Sequence, residues 1–240
     1  MNASLDAALS TFPGAVPIPE FLDGVARELA PRGFTEERTF AVVSTCRDEL
    51  TVPLMRAVTD RLDLAFYLGA LGGVPSLGRT GWNAALSHVP VDGGRGHLVV
   101  LGMTHIGFGP DGTPGQSLRR HQDHPTPTCG ALMSILHAEG AAESPPDALD
   151  DNEKDRLRHL MKNVSPERSG TPVGITRRAA QAVTAEMWAE LDALEAWRTM
   201  DVAAYCGVQV HVHDHADLIA VTDAQFVGAD GVRTDLLPAG

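Results

Sequence analysis

The 240-residue chain is poor in aromatic side chains, with three Trp, two Tyr and seven Phe. Base-stacking platforms for single-stranded nucleic acid are therefore scarce. Positive charge is also short: 19 Lys and Arg stand against 31 Asp and Glu, a formal net charge of −12. So acidic a surface repels polyanions, which argues against nucleic acid as a partner. Only three cysteines occur. An odd, sparse set argues against a disulfide scaffold and for a reducing compartment. No run approaches the roughly 18 consecutive apolar residues of a membrane span. The opening stretch MNASLDAALSTFPGAVPIP has no basic region and no long apolar run, and no Arg precedes Arg27. Neither a secretory nor a transit signal is expected, and the expected place is the cytoplasm.

The chain does have enough apolar material for a sizeable core, 43% of its residues. Residues 1–17 are read as a loose arm and 18–240 as one domain. Pro19 opens a helix with Phe21, Leu22, Val25 and Leu29 at a 3.6-residue period, ended by Pro31 and Gly33. Thr39 to Thr45 and Leu64 to Leu68 read as strands around a helix carrying Leu54, Val58 and Leu62. A short helix is expected over Trp82 to Ser87, and a third strand over His97 to Met103, with His105 just past its end. Residues 107–127 read as loop, with Thr126 capping a helix over Cys129 to His137. An acidic linker follows at 140–152, then a helix bearing Leu157, Leu160 and Met161. The longest helical pattern covers 176–204 and is closed by Gly207, with short strands after it. Alternating strands and helices imply an α/β fold, a mainly parallel sheet flanked by helices. Chemistry in such sheets gathers beyond the carboxyl ends of the strands.

Cys46 and His105 fall at that edge, and with Cys129, in the first turn of a predicted helix, they are the first candidates. A thiol at a helix N-terminus is acidified, which suits a metal ligand. Two thiolates and an imidazole form a three-ligand zinc set with one position open, as in catalytic sites. Gaps of 59 and 24 residues are not a compact signal, so buried small cysteines and a polar strand-end histidine are the plainer reading. Asp48 could orient a water on such a metal and Arg47 could hold that carboxylate, or the two could be a solvated pair. His211, His213 and His215 could form a separate metal site, although the polar outer face of an edge strand explains them as well. The glycine-rich loop 69–81 with Arg79 carries no phosphate-binding pattern, and no Gly-x-Ser-x-Gly occurs. Cys206 reads as buried and inert. Met187, Trp188 and Trp197 read as packing.

Together these blocks resemble the limiting-CO2-inducible B/C protein family, also described as theta-class carbonic anhydrases. The resemblance rests on Val43-Ser44-Thr45-Cys46-Arg47-Asp48-Glu49, on Gly102 to Ile106, and on Thr128-Cys129-Gly130-Ala131-Leu132. Weaker echoes are Gly78 to Gly81, His88 to Asp92 and Gly94-Arg95. The resemblance spans roughly residues 12–230 and implies a fold related to β-carbonic anhydrases, usually a homodimer. It implies zinc on Cys46, His105 and Cys129, with Asp48 and Arg47 as the adjoining dyad; Arg56 and Arg79 are alternative partners for Asp48. The implied activity is hydration of CO2 to bicarbonate by a zinc-bound hydroxide, at a rate rising with pH. His88, His121 and His124 are candidate proton shuttles. Another zinc hydrolase, or a catalytically silent bicarbonate-binding or regulatory relative, would use the same residues.

Overall fold

The computed structural model describes residues 2–63, 65–76, 78–91, 94–139, 152–165 and 169–236. Apolar β-branched runs become strands and amphipathic runs become helices. Their order is α1 (Ala3–Thr11), β1 (Val16–Pro17), α2 (Ile18–Leu29), β2 (Thr39–Ser44), α3 (Val52–Leu62), β3 (Ala65–Tyr67), α4 (Gly78–Leu86), β4 (Gly96–Phe108), β5 (Gln116–Ser117), β6 (Thr126–Pro127), α5 (Gly130–Ala138), α6 (Asn152–Val164), α7 (Pro172–Leu194), β7 (Met200–Val212), β8 (Leu218–Val227) and β9 (Arg233–Asp235).

The main sheet runs β1-β8-β7-β4-β2-β3, with β9 on β8. Strands β3, β2, β4 and β7 are mutually parallel, and β8 turns antiparallel. Strands β5 and β6 form a small antiparallel pair of their own. Helices α2 and α3 cover one face through Phe21, Val25, Leu29, Leu54 and Val58. Helices α4 and α7 cover the other through Trp82, Met187, Trp188 and Leu191. A third apolar cluster, built from α5, α6 and α7, gathers around Cys46 and Cys129. No helix among the described residues is long and apolar enough to cross a membrane.

Four features differ from the sequence reading. Strand β4 does not stop at Met103. It pairs with β7 from Gly96↔Met200 to Phe108↔Val212, so Thr104 and His105 lie within a continuous ladder. The helix expected to reach 204 ends at Leu194, where Glu195 turns left-handed at φ 49°. The run after Met200 fits either period, and pairing with β4 and β8 makes it a strand. Gly207 is therefore no helix stop; it lies at a register shift between β7 and β8. The N-terminal arm is not loose. Asn2 caps α1 by accepting from the Leu5 N–H, and Ser4 Oγ donates to the Phe108 carbonyl at 2.8 Å. Finally, 107–127 is not all loop, since β5 and β6 lie within it. Residues 140–151 of the acidic linker lie outside the described residues.

Candidate metal centre

Cys46 follows β2 by two residues, His105 lies near the carboxyl end of β4, and Cys129 is the N-cap of α5. Thr126 is thus not the cap, and Pro127 belongs to β6. Glycine lets the three segments meet. A Cβ on Gly107 would lie 2.0 Å from Ser117 Oγ and 2.3 Å from Thr128 Oγ1. Its absence lets the segment ending in Cys129 lie on β4, two residues from His105. A Cβ on Gly73 would lie 2.2 Å from the Met103 carbonyl. The loop therefore packs across the strand ends, and the Gly72 N–H donates to Cys46 Sγ at 3.4 Å.

The donor atoms of Cys46, His105 and Cys129 all lie within 4.8 Å of one another, and all three residues are buried. The two sulfurs are 4.0 Å apart. The Cys129 thiol beside it favours a thiolate on Cys46 against the cost of burial. The same contact, reinforced by burial, pushes Cys129 up. His105 Nδ1 has a partner, His211 Nε2 at 3.0 Å. His105 Nε2 is buried with no hydrogen-bond partner. Two soft sulfurs and an orphaned imidazole nitrogen, converging in an apolar wall, fit zinc. Cys206, by contrast, is fully buried on β7, and burial pushes its thiol up to about 12.

Asp48 stands beside the trio. Its Oδ1 accepts from the Leu50 N–H at 3.1 Å and its Oδ2 from Arg119 Nη2 at 2.9 Å. Burial raises its pKa, opposed by the Leu50 N–H, His105 and Arg119. The pairing with Arg47 is a correction. Arg47 is 63% exposed and meets Glu153 at 2.6 Å, because side chains at successive positions diverge. Arg56 and Arg79 are exposed on α3 and α4. Arg119 also holds Glu49, Thr126 Oγ1 and the carbonyls of Pro127 and Thr128, bridging the Cys46 and Cys129 segments. No local pattern marked it. It arrives from an irregular stretch by a long-range contact.

The other candidates scatter. His88 is exposed and packs edge-on to Phe40 and Phe66, toward the amino end of the sheet. His124 is exposed. His121, at φ 67°, lines a cavity of about 590 Å³ with Arg119, His211 and Asp217. The histidine cluster 211–215 does not share a face, because β7 ends at Val212. Nor is β7 an edge strand: it lies between β4 and β8. His211 points inward and is buried, while His213 pairs with Asp214. His211 Nδ1 lies 3.0 Å from Asp217 Oδ2, which also accepts from Gln209 Nε2 at 2.9 Å. Burial holds the His211 ring below the ordinary imidazole range, against the pull of Asp217.

A search of curated protein sequences finds no match. Among solved structures, a homolog of the limiting CO2-inducible protein LCIB, PtLCIB4, superimposes with a TM-score of 0.82 at 24% identity, covering 96% of this chain and 98% of that one. LCIB itself superimposes with a TM-score of 0.76 at 26% identity, covering 95% and 97%. The model of the limiting CO2-inducible proteins B/C β-carbonic anhydrases matches residues 15–228. With nearly the whole fold inside that match, this chain belongs to the limiting-CO2-inducible B/C family of β-carbonic anhydrases.

Proposed function

We propose that this protein is a zinc carbonic anhydrase that interconverts CO2 and bicarbonate. The observation that carries this is the buried, unpartnered Nε2 of His105 facing two cysteine sulfurs. Cys46, Cys129 and His105 would hold the ion. Bound zinc supplies a Lewis acid that brings a water's ionisation toward neutral pH.

The chain's own residues do the rest. Asp48 lies outside the trio of donor atoms, and Arg119 and the Leu50 N–H engage both of its oxygens. That restraint supports a fourth position left open, against the closed and silent alternative. The lone pairs remaining on Asp48 can accept a hydrogen bond from the reacting water and aim it. The apolar side chains around Cys46 and Cys129, among them Val74 and Leu132, exclude bulk water. The three donors are no more than 5% exposed, which suits a substrate as small as CO2 and disfavours a larger amide or ester.

The test is CO2 hydration followed by stopped-flow pH indicator on zinc-replete protein, beside Cys46→Ser. Hydration lost in the variant is expected. A zinc-loaded parent that does not hydrate CO2 would overturn the enzymatic reading.

A further inference from the structure

We infer that His211 and Asp217 are positioning residues that set the tautomer of His105 and so aim its ring nitrogen at the metal. The inference rests on the zinc reading above, but the geometry it uses belongs to the protein alone.

Proton bookkeeping along the chain of contacts carries it. An ionised carboxylate only accepts. Asp217 Oδ2 therefore accepts the hydrogen bond of the His211 Nδ1–H at 3.0 Å. With that proton on Nδ1, the His211 ring presents the lone pair of its Nε2 as an acceptor. That lone pair faces His105 Nδ1 at 3.0 Å, which must donate. With Nδ1 as the donating nitrogen, Nε2 is the one left to hold an ion, and it is buried among the two sulfurs without a hydrogen-bond partner. One carboxylate thus orients, across two rings, the nitrogen that would hold the ion.

The register supplies the alignment. His105 lies opposite Gln209, and Gly107 opposite His211, on the parallel pair β4 and β7. His105, Gln209 and His211 therefore share one face of the sheet. Gln209 Nε2 donates to Asp217 Oδ2 and to the Leu50 carbonyl, which fixes the carboxylate. The main chain of Asp217 is held as well, by the Ile18 N–H at 3.2 Å. None of these residues contributes a donor atom to the metal trio. Partners behind a metal-bound histidine fix its orientation and basicity, and losing one costs about 10–100-fold in metal affinity.

The experiment is zinc titration against a chromophoric chelator for the parent, His211→Ala, His211→Gln and His213→Ala, with circular dichroism to confirm folding. His211→Ala is expected to bind zinc about 10–100-fold more weakly. His211→Gln, whose amide can accept from His105 and donate to Asp217, should recover most of that loss. His213→Ala, on the neighbouring turn, should match the parent. Equal affinity in the parent and a folded His211→Ala overturns the tether and leaves the zinc reading intact. A parent that takes up no zinc overturns both. The 15N shifts of His105 in metal-free parent protein need no variant: a proton on Nδ1 is expected, and a proton on Nε2 overturns the tether even if His211→Ala does not fold.

Discussion

Two histidines on one strand, eight residues apart, meet opposite fates. His97 opens β4 and His105 lies near its far end, on the same face. Each is buried, and each has one ring nitrogen without a partner. Each also lies near an aspartate that β7 or the turn after it supplies. At the amino end, Asp201 is claimed by Arg95 Nε at 2.7 Å and stays 4.0 Å from His97. The His97 ring packs on Phe34 with centroids 4.6 Å apart. At the carboxyl end, Asp217 reaches His105 through His211, and two sulfurs face the free nitrogen. An orphaned nitrogen is thus not by itself a site. Convergent soft donors make it one, and they arrive only where loops leave the carboxyl ends of parallel strands.

Exchanging each ring for Ala breaks the comparison most sharply. His105→Ala should cost more zinc affinity than the roughly 100-fold upper range for a residue behind a ligand, and should abolish hydration. His97→Ala should keep one zinc per chain and lose only stability, about 1–3 kcal/mol. Metal analysis after dialysis separates the two, and loss of zinc in both would erase the distinction. Next in size is the guanidinium on Asp48. Arg119→Ala should slow hydration by about 10²–10³, the usual cost of one preorganised donor. Arg47→Ala, which severs only a surface pair, should leave turnover near that of the parent. A slow Arg47→Ala beside an unimpaired Arg119→Ala would return the dyad to the neighbour in sequence.

The same contrast explains what could be read without coordinates. Cys46 and Cys129 are legible because each sits where a strand or helix begins or ends, and those ends follow from β-branched runs and from Pro and Gly. His105 is legible as a residue but not in its setting, since only pairing with β7 carries the strand past Met103. Residues 200–212 fit helix and strand alike, and the choice depends on neighbours that a period does not encode. Arg119 lies 71 positions from Asp48 along the chain, in a stretch without periodicity. His211 is conspicuous inside His-Val-His-Asp-His, yet its role depends on a diagonal relation to His105 across two strands.

A smaller effect tests how the carboxyl end was assembled. Gly107→Ala places a methyl group 2.0 Å from Ser117 Oγ, so the Thr128 segment must shift. Overpacking of this kind costs about 1–3 kcal/mol, and here it should also weaken zinc binding. Gly130→Ala has nothing within 4 Å of the new methyl and should be neutral or slightly stabilising. A Gly107→Ala protein with parental zinc affinity would mean that Cys129 is held by something other than its packing on β4.

The smallest effect belongs to the amino end and is a dependence on pH. Burial, with Arg38 and Arg95 adding and Asp201 opposing, depresses the pKa of His97. A histidine depressed in the folded state favours folding while neutral. Its contribution is fully present above the unfolded value of about 6.5 and is lost as pH falls through the depressed one. Metal-free protein should therefore melt at lower temperature in mild acid than at neutrality. His97→Gln should flatten part of that decline, leaving the share of His211, whose ring burial also depresses. An unchanged slope in His97→Gln would mean that His97 titrates in the folded protein as it does in the unfolded chain. The two ends of β4 would then differ in more than their donors, since only the carboxyl end would bury a histidine at a cost in charge.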